Sequence, residues 1–329
     1  MSRRRLPHLP SPPLLVAVLG LAACDLHDPD DLVAATVTED PSLPRYTLDS
    51  GPILHLETFG PEDGEVIIFL HGGPGDDYRS QLGMRVLDDR YRLVFFDQRG
   101  TGLSERVPAD QIDGPAYIED LHELALHFGG GEPVTILGQS FGGAYAGMFT
   151  AEHPELVKRL ILVEPGALTP AAANAAYDAS VGITDAGVNR FLEGARYLDS
   201  VDYAQQDLWF MSLNASLEDP GHRAPSEAGV HVPIWRSGFL ANLEINGWQG
   251  NFDDPTFDVS DGLGAYAGPT LLVAGTESTV LGKELQEAEH LHLFQDVQFE
   301  TIDGAGHLIT FFQPEALADL VVDFMEANP

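Results

Sequence analysis

In the stretch ILGQSFGG a serine, Ser140, stands between Gly138 and Gly142, after an apolar run and before a helical pattern. A serine on a tight strand-to-helix turn is held out where a substrate can reach it, and small flanking residues keep the neighbouring backbone clear. The helix that follows offers free N–H groups and the positive end of its dipole to negative charge developing there. That combination suits nucleophilic attack on a carbonyl group. Two further stretches supply what such an attack needs. Phe69-Leu70-His71-Gly72-Gly73-Pro74-Gly75 follows another apolar run, and its glycines let main-chain N–H groups approach a carbonyl oxygen. The N–H groups of Gly73 and Phe141 form the expected oxyanion hole. Asp303-Gly304-Ala305-Gly306-His307 lies between an extended run and the last helix, where a glycine turn can bring the His307 imidazole to the serine as general base. The chain has 12 histidines, so it is this placement that singles His307 out, and His71 is read as structural.

These turns need rigid elements to hold them. YTLDSGPILHLETFG reads as a hairpin, and GEVIIFL, YRLVFF, PVTILG, RLILVEP and PTLLVAG are apolar runs of strand length that stop at turns. Between Pro115 and Phe128, the residues Tyr117, Ile118, Leu121, Leu124, Ala125 and Phe128 share one helical face. Helices are also expected from about Phe141 to His153, over GKELQEAEHLHLF, and over PEALADLVVDFMEA, where Pro314 suits a first helical turn. Strands alternating with helices predict a mostly parallel sheet with helices on both faces. Residues 166–267 break the alternation and carry Trp209, Trp235 and Trp248, so they are read as an inserted helical lid between core segments 45–165 and 268–329.

A chain of 329 residues, 44% of them hydrophobic, can bury a large core. The formal net charge is -34, from 51 acidic against 17 basic residues, which would repel phosphate backbones and excludes nucleic acid as a partner. The N-terminus departs from this pattern. Arg3, Arg4 and Arg5 precede an apolar stretch from Leu14 to Ala23, too short to span a bilayer but suited to a signal peptide over residues 1–23. Leu21-Ala22-Ala23-Cys24 resembles the lipobox of bacterial lipoproteins, which implies cleavage before Cys24, lipidation of that residue and attachment to a membrane through the lipid alone. Cys24 is the one cysteine, so no internal disulfide can form. Residues 24–44 are rich in Asp and Pro and are expected to be a disordered tether.

HGGPG at 71–75, DQRGTGLS at 97–104, GQSFGG at 138–143 and GAGH at 304–307 together resemble the α/β-hydrolase superfamily. HGGPG with DQRG is most similar to its prolyl aminopeptidase, or proline iminopeptidase, branch. The resemblance covers about 45–165 and 268–329. It implies an α/β-hydrolase fold: an eight-stranded, mostly parallel sheet, a helical lid after the sixth strand, and a Ser-acid-His triad that uses neither metal nor cofactor. The implied activity is release of an N-terminal proline or similar residue from short peptides, with lid glutamates gripping the free amino terminus. ANLEINGW is similar to the lid segment that supplies one such glutamate, which makes Glu244 the candidate. LWFMSLNAS offers no match for a second. Small esters or amides are the alternative substrates, and a catalytically inactive binding lipoprotein is the alternative of a different class.

The triad acid has two candidate places. Members of the superfamily usually carry it three residues after the glycine that ends a strand like LLVAG, and that position here is Ser278, which holds no charge. Glu277 is adjacent, but neighbouring residues leaving a strand point in opposite directions. Glu164 emerges from the preceding strand in RLILVEPG, the position that carries the acid in one group of haloalkane dehalogenases. A carboxylate at the end of a buried strand needs a partner, and His307 would be one. Glu164 is therefore the expected acid.

Overall fold

The computed structural model describes residues 32–180, 202–214, 222–250 and 256–329. The segment read as a signal peptide, residues 1–23, and Cys24 lie outside the described residues. Eight strands form one sheet: β1 (Arg45–Thr47), β2 (Ile53–Phe59), β3 (Glu65–Leu70), β4 (Tyr91–Phe96), β5 (Val134–Gln139), β6 (Val157–Val163), β7 (Thr270–Gly275) and β8 (Val297–Ile302), in the order β1-β2-β4-β3-β5-β6-β7-β8. β1 and β2 pair antiparallel, as do β2 and β4, and every later pairing is parallel. This is the doubly covered sheet that the alternating runs predict.

Both faces are buried, which is why the middle of each central strand is a continuous apolar run rather than an alternating one. Along β3, Ile68 and Leu70 join a core layer that includes Tyr117, Leu121, Tyr145 and Phe149. Ile67 and Phe69 enter the opposite layer with Tyr78, Met84, Val321 and Phe324. The first layer is covered by helix α1 (Gly114–Gly129) and helix α2 (Phe141–Glu152). Asp113 caps α1 by accepting the Ala116 N–H at 2.8 Å, and Gly130, at φ 61°, ends it. α2 is buried around almost its whole circumference, so it shows no amphipathic face.

Within the lid the described helices are α3 (Pro170–Ser180), α4 (Tyr203–Asn214), α5 (Phe239–Trp248) and α6 (Ser260–Ala265). The second face of the sheet is covered by a 3₁₀ helix, Tyr78–Leu87, which the sequence reading did not anticipate, and by the C-terminal helix α7 (Pro314–Ala327). α7 turns Leu317, Ala318, Val321, Phe324 and Met325 inward, positions three and four apart on one stripe.

One expectation fails. Residues 34–44 are docked rather than a loose tether. Val37 is fully buried and donates its N–H to Leu103 O at 2.8 Å, while Arg45 donates to the carbonyls of Val37 and Asp40. From the lid, Arg236 reaches Ala34 O at 3.0 Å and Glu39 at 3.2 Å. Two arginines outside the segment satisfy its backbone and its charge, which its own Asp- and Pro-rich composition does not reveal.

Candidate active site

Ser140 sits at φ 56° and ψ −126°, a left-handed conformation that costs a non-glycine residue strain, between the end of β5 and the start of α2. The geometry explains the glycines: a Cβ at Gly138 would collide with the Gly142 carbonyl, and one at Gly142 with the Leu70 carbonyl. Ser140 is held through its backbone, its N–H donating to Val163 O at 3.1 Å and its carbonyl accepting from Gly143 and Gly166. Phe141 is the first residue of α2, so its N–H has no intrahelical acceptor. The loop after β3 passes beside the serine: a Cβ on Gly72 would lie 3.1 Å from Ser140 Cβ and 3.7 Å from its Oγ. Gly73, Ser140 and His307 line one cavity of about 510 Å³. His71 is buried beneath this loop, with Nε2 accepting the Gln98 N–H and Nδ1 against Gly72 O, and burial lowers its pKa below the ordinary value. It is a structural histidine, neutral in the fold.

Glu164 follows β6 at φ 41° with its side chain fully buried. One carboxylate oxygen accepts the Gly275 N–H at 2.7 Å, and the other lies 2.6 Å from His307 Nδ1. This fixes the imidazole so that Nδ1–H donates to Glu164 and Nε2 is left as acceptor. Glu277, by contrast, is exposed, and only its backbone, through a bond to Ala305 O at 2.9 Å, takes part in the turn. Ser278 is buried, and its hydroxyl has no hydrogen-bond partner among the described residues. Glu244 lies on α5, half-buried, and is not among the residues that line the cavity.

The histidine has further supports that sequence reasoning missed. Its N–H donates to His222 O at 2.8 Å, its carbonyl accepts from Gln139 Nε2 at 2.7 Å, and the His222 ring stands edge-on to its own at 4.8 Å. Glu227, a lid residue that is 3% exposed, accepts the Gly306 N–H at 3.0 Å with one oxygen and the Ala224 N–H at 3.0 Å with the other. The lid thus grips the turn that carries His307. A single glutamate among 51 acidic residues gives no sign of this in the sequence.

A strained serine at a helix N-terminus, a histidine backed by a buried carboxylate, and a glycine loop around one cavity compose a constellation suited to acyl transfer. Residues 65–314 match the alpha/beta hydrolase fold family, and the chain belongs to that family. Among its relatives, a proline iminopeptidase from Pestalotiopsis fici is 35% identical over 116 residues, 34% of this chain and 41% of that protein. An sn-1-specific diacylglycerol lipase from Mus musculus is 26% identical over 274 residues, 79% of this chain and 80% of the lipase. The chain therefore spans well under half of the first relative and most of the second. The crystal structure of proline iminopeptidase from Mycobacterium smegmatis superposes with a TM-score of 0.61 at 20% identity, covering 87% of this chain and 98% of that one, a likeness of fold.

Proposed function

We propose that this protein is an exported serine hydrolase acting through an acyl-enzyme. The observation that carries the reading is the Glu164–His307 contact of 2.6 Å beside a cavity whose wall also holds Ser140. Ser140 Oγ attacks a carbonyl carbon while His307 Nε2 takes its proton, and the N–H groups of Gly73 and Phe141 receive the oxyanion. His307 then returns the proton to the leaving amine or alcohol. Water repeats the sequence to free the acid. Glu164 keeps the imidazole in the required tautomer and stabilises its charged form.

The substrates are short peptides or amides with a free amino terminus, N-terminal proline included. Likeness to proline iminopeptidases in motifs and in part of the chain supports this choice. Small esters are the second reading, favoured by the relationship to a diacylglycerol lipase over most of the chain. Signal-peptide cleavage before Cys24 and lipidation there would hold the enzyme at a membrane on the exported side. Mass spectrometry of the mature N-terminus tests this: an unmodified N-terminus other than Cys24 rejects it.

The chemistry is tested by fluorophosphonate labelling together with turnover of aminoacyl amides and short-chain esters. Ser140→Ala and His307→Ala should each abolish turnover in folded protein, and the double variant should lose little more, because triad members act as a unit. Near-wild-type turnover by Ser140→Ala would reject the mechanism. A wild-type serine that does not label would return the chain to a binding role.

A further inference from the structure

Two carboxylates line the cavity, Asp76 and Asp77, and they differ in their bonding. Asp77 is fully buried and committed to main chain: Oδ1 accepts the Arg79 N–H at 2.9 Å, and Oδ2 accepts from Trp235 and, at 3.2 Å, Arg236. Asp76 has no hydrogen bond or ion pair to any of the described residues. It is part-exposed, and burial pushes its pKa up from the ordinary carboxylate range to about 6, with no basic side chain offsetting the effect. A part-exposed carboxylate on a cavity wall with no protein partner is open to a ligand that supplies one. The other charged or titratable groups on the cavity wall are His222, Arg223, His231 and His307.

Asp76 shares the cavity wall with Ser140 and lies on the same loop as Gly73. The loop from Gly72 to Asp76 folds back tightly enough that a Cβ on Gly73 would lie 2.8 Å from the Asp76 nitrogen. Asp76 and Gly73 line the same cavity, so one substrate can place a carbonyl oxygen at the Gly73 N–H and a substituent toward Asp76. We propose that Asp76 is the specificity-determining residue of this cavity, binding an ammonium group carried on the acyl part of the substrate a bond or two from the scissile carbonyl. This rests on the assignment of Ser140 as nucleophile. It gives the role of amine anchor to the loop that bears the oxyanion donor, in place of Glu244 on the lid. The bond formed is a charge-assisted hydrogen bond from N–H to carboxylate, and no covalent step is added.

The test compares alanyl and propionyl 4-nitroanilide, which share an acyl skeleton and differ in the ammonium group. Wild-type enzyme should favour the alanyl compound in kcat/KM. Asp76→Asn should lower kcat/KM for it by about tenfold to a hundredfold, chiefly through KM, and leave the propionyl compound within about twofold, since one charged hydrogen bond is lost. Equal loss on both substrates, no loss on either, or a wild type that labels with fluorophosphonate yet shows no preference for the alanyl compound overturns the assignment. Two measurements stand apart from turnover. Alaninamide should bind Ser140→Ala protein in calorimetry and not bind the Ser140→Ala, Asp76→Asn double variant; equal binding by both overturns the proposal even if the hydrolase reading fails. Because the folded state holds the Asp76 proton more tightly than the unfolded chain does, its ionisation destabilises the fold as pH rises from about 4 to 6. Asp76→Asn should therefore raise the Tm at pH 8 and leave it unchanged at pH 3, whereas a lowered Tm at pH 8 would mean that the carboxylate is already satisfied within the protein.

Discussion

β6 and β7 are neighbouring parallel strands, registered Val163 to Val273, and each delivers a glutamate just beyond its carboxyl end. The two glutamates meet opposite fates. After β6 the chain turns at once: Glu164 takes a positive φ, its N–H stays in the ladder to Val273 O at 2.8 Å, and its carboxylate swings under the site. β7 ends at Gly275, whose Cα faces the Ala305 carbonyl so closely that no side chain fits, and the chain then runs on. By Glu277 it has reached the surface. What β7 contributes is a backbone donor, the Gly275 N–H, which fixes the second oxygen of Glu164. In this fold the strand end that turns inward, and meets a main-chain N–H that orients its carboxylate, is the one that brings an acid to His307. The motif position alone does not decide.

The strongest way to break this comparison is to remove the charge at β6. Glu164→Gln should lower kcat by about two to four powers of ten with a smaller change in KM, as loss of a histidine-orienting carboxylate does. Steady-state kinetics on purified protein reads this directly, and retention of wild-type kcat would mean that His307 has another acid. A milder probe acts on the other side of the histidine. Glu227→Ala leaves the buried N–H groups of Gly306 and Ala224 without their acceptors, a loss of about 1–3 kcal/mol. Stability should fall, and kcat should drop by about tenfold as the His307 turn loosens, since small misplacements of a catalytic group are expensive. Glu227→Gln keeps one acceptor and should recover part of both. A fall in Tm with unchanged kcat would show that the lid contact holds structure without positioning the imidazole.

The parts of the site that follow from backbone chemistry are the ones that could be read in advance. Gly138 and Gly142 flank Ser140 because carbonyls crowd their Cα atoms, so the pattern GQSFG carries its own geometry. The central strands are apolar on both faces because helices cover both, and this makes the sheet legible as well. Asp76 and Glu227 were not legible, because an acidic side chain acquires meaning only from the donors around it and this chain has 51. The docking of residues 34–44 escaped notice for a related reason. Its partners, Arg45 and Arg236, are separated by 191 positions, and the second lies in the lid.

The smallest expected effect lies at the other end of the comparison. Glu277 occupies the neighbourhood where related folds usually keep their acid, so its sequence position invites a catalytic role. In the fold its side chain is exposed, and the backbone N–H that it gives to Ala305 O is kept by any residue other than proline. Glu277→Gln should therefore leave kcat, KM and Tm within the scatter of ordinary surface substitutions, about 0.5 kcal/mol or less. Measured beside Glu164→Gln under one set of conditions, it separates two accounts of the site. If charge anywhere near the end of β7 assists His307, Glu277→Gln will slow turnover, and more so in the Glu164→Gln background. If only a carboxylate in contact with Nδ1 serves, the double variant will match Glu164→Gln alone. The 2.6 Å contact from Glu164, set against an exposed side chain at Glu277, favours the second outcome.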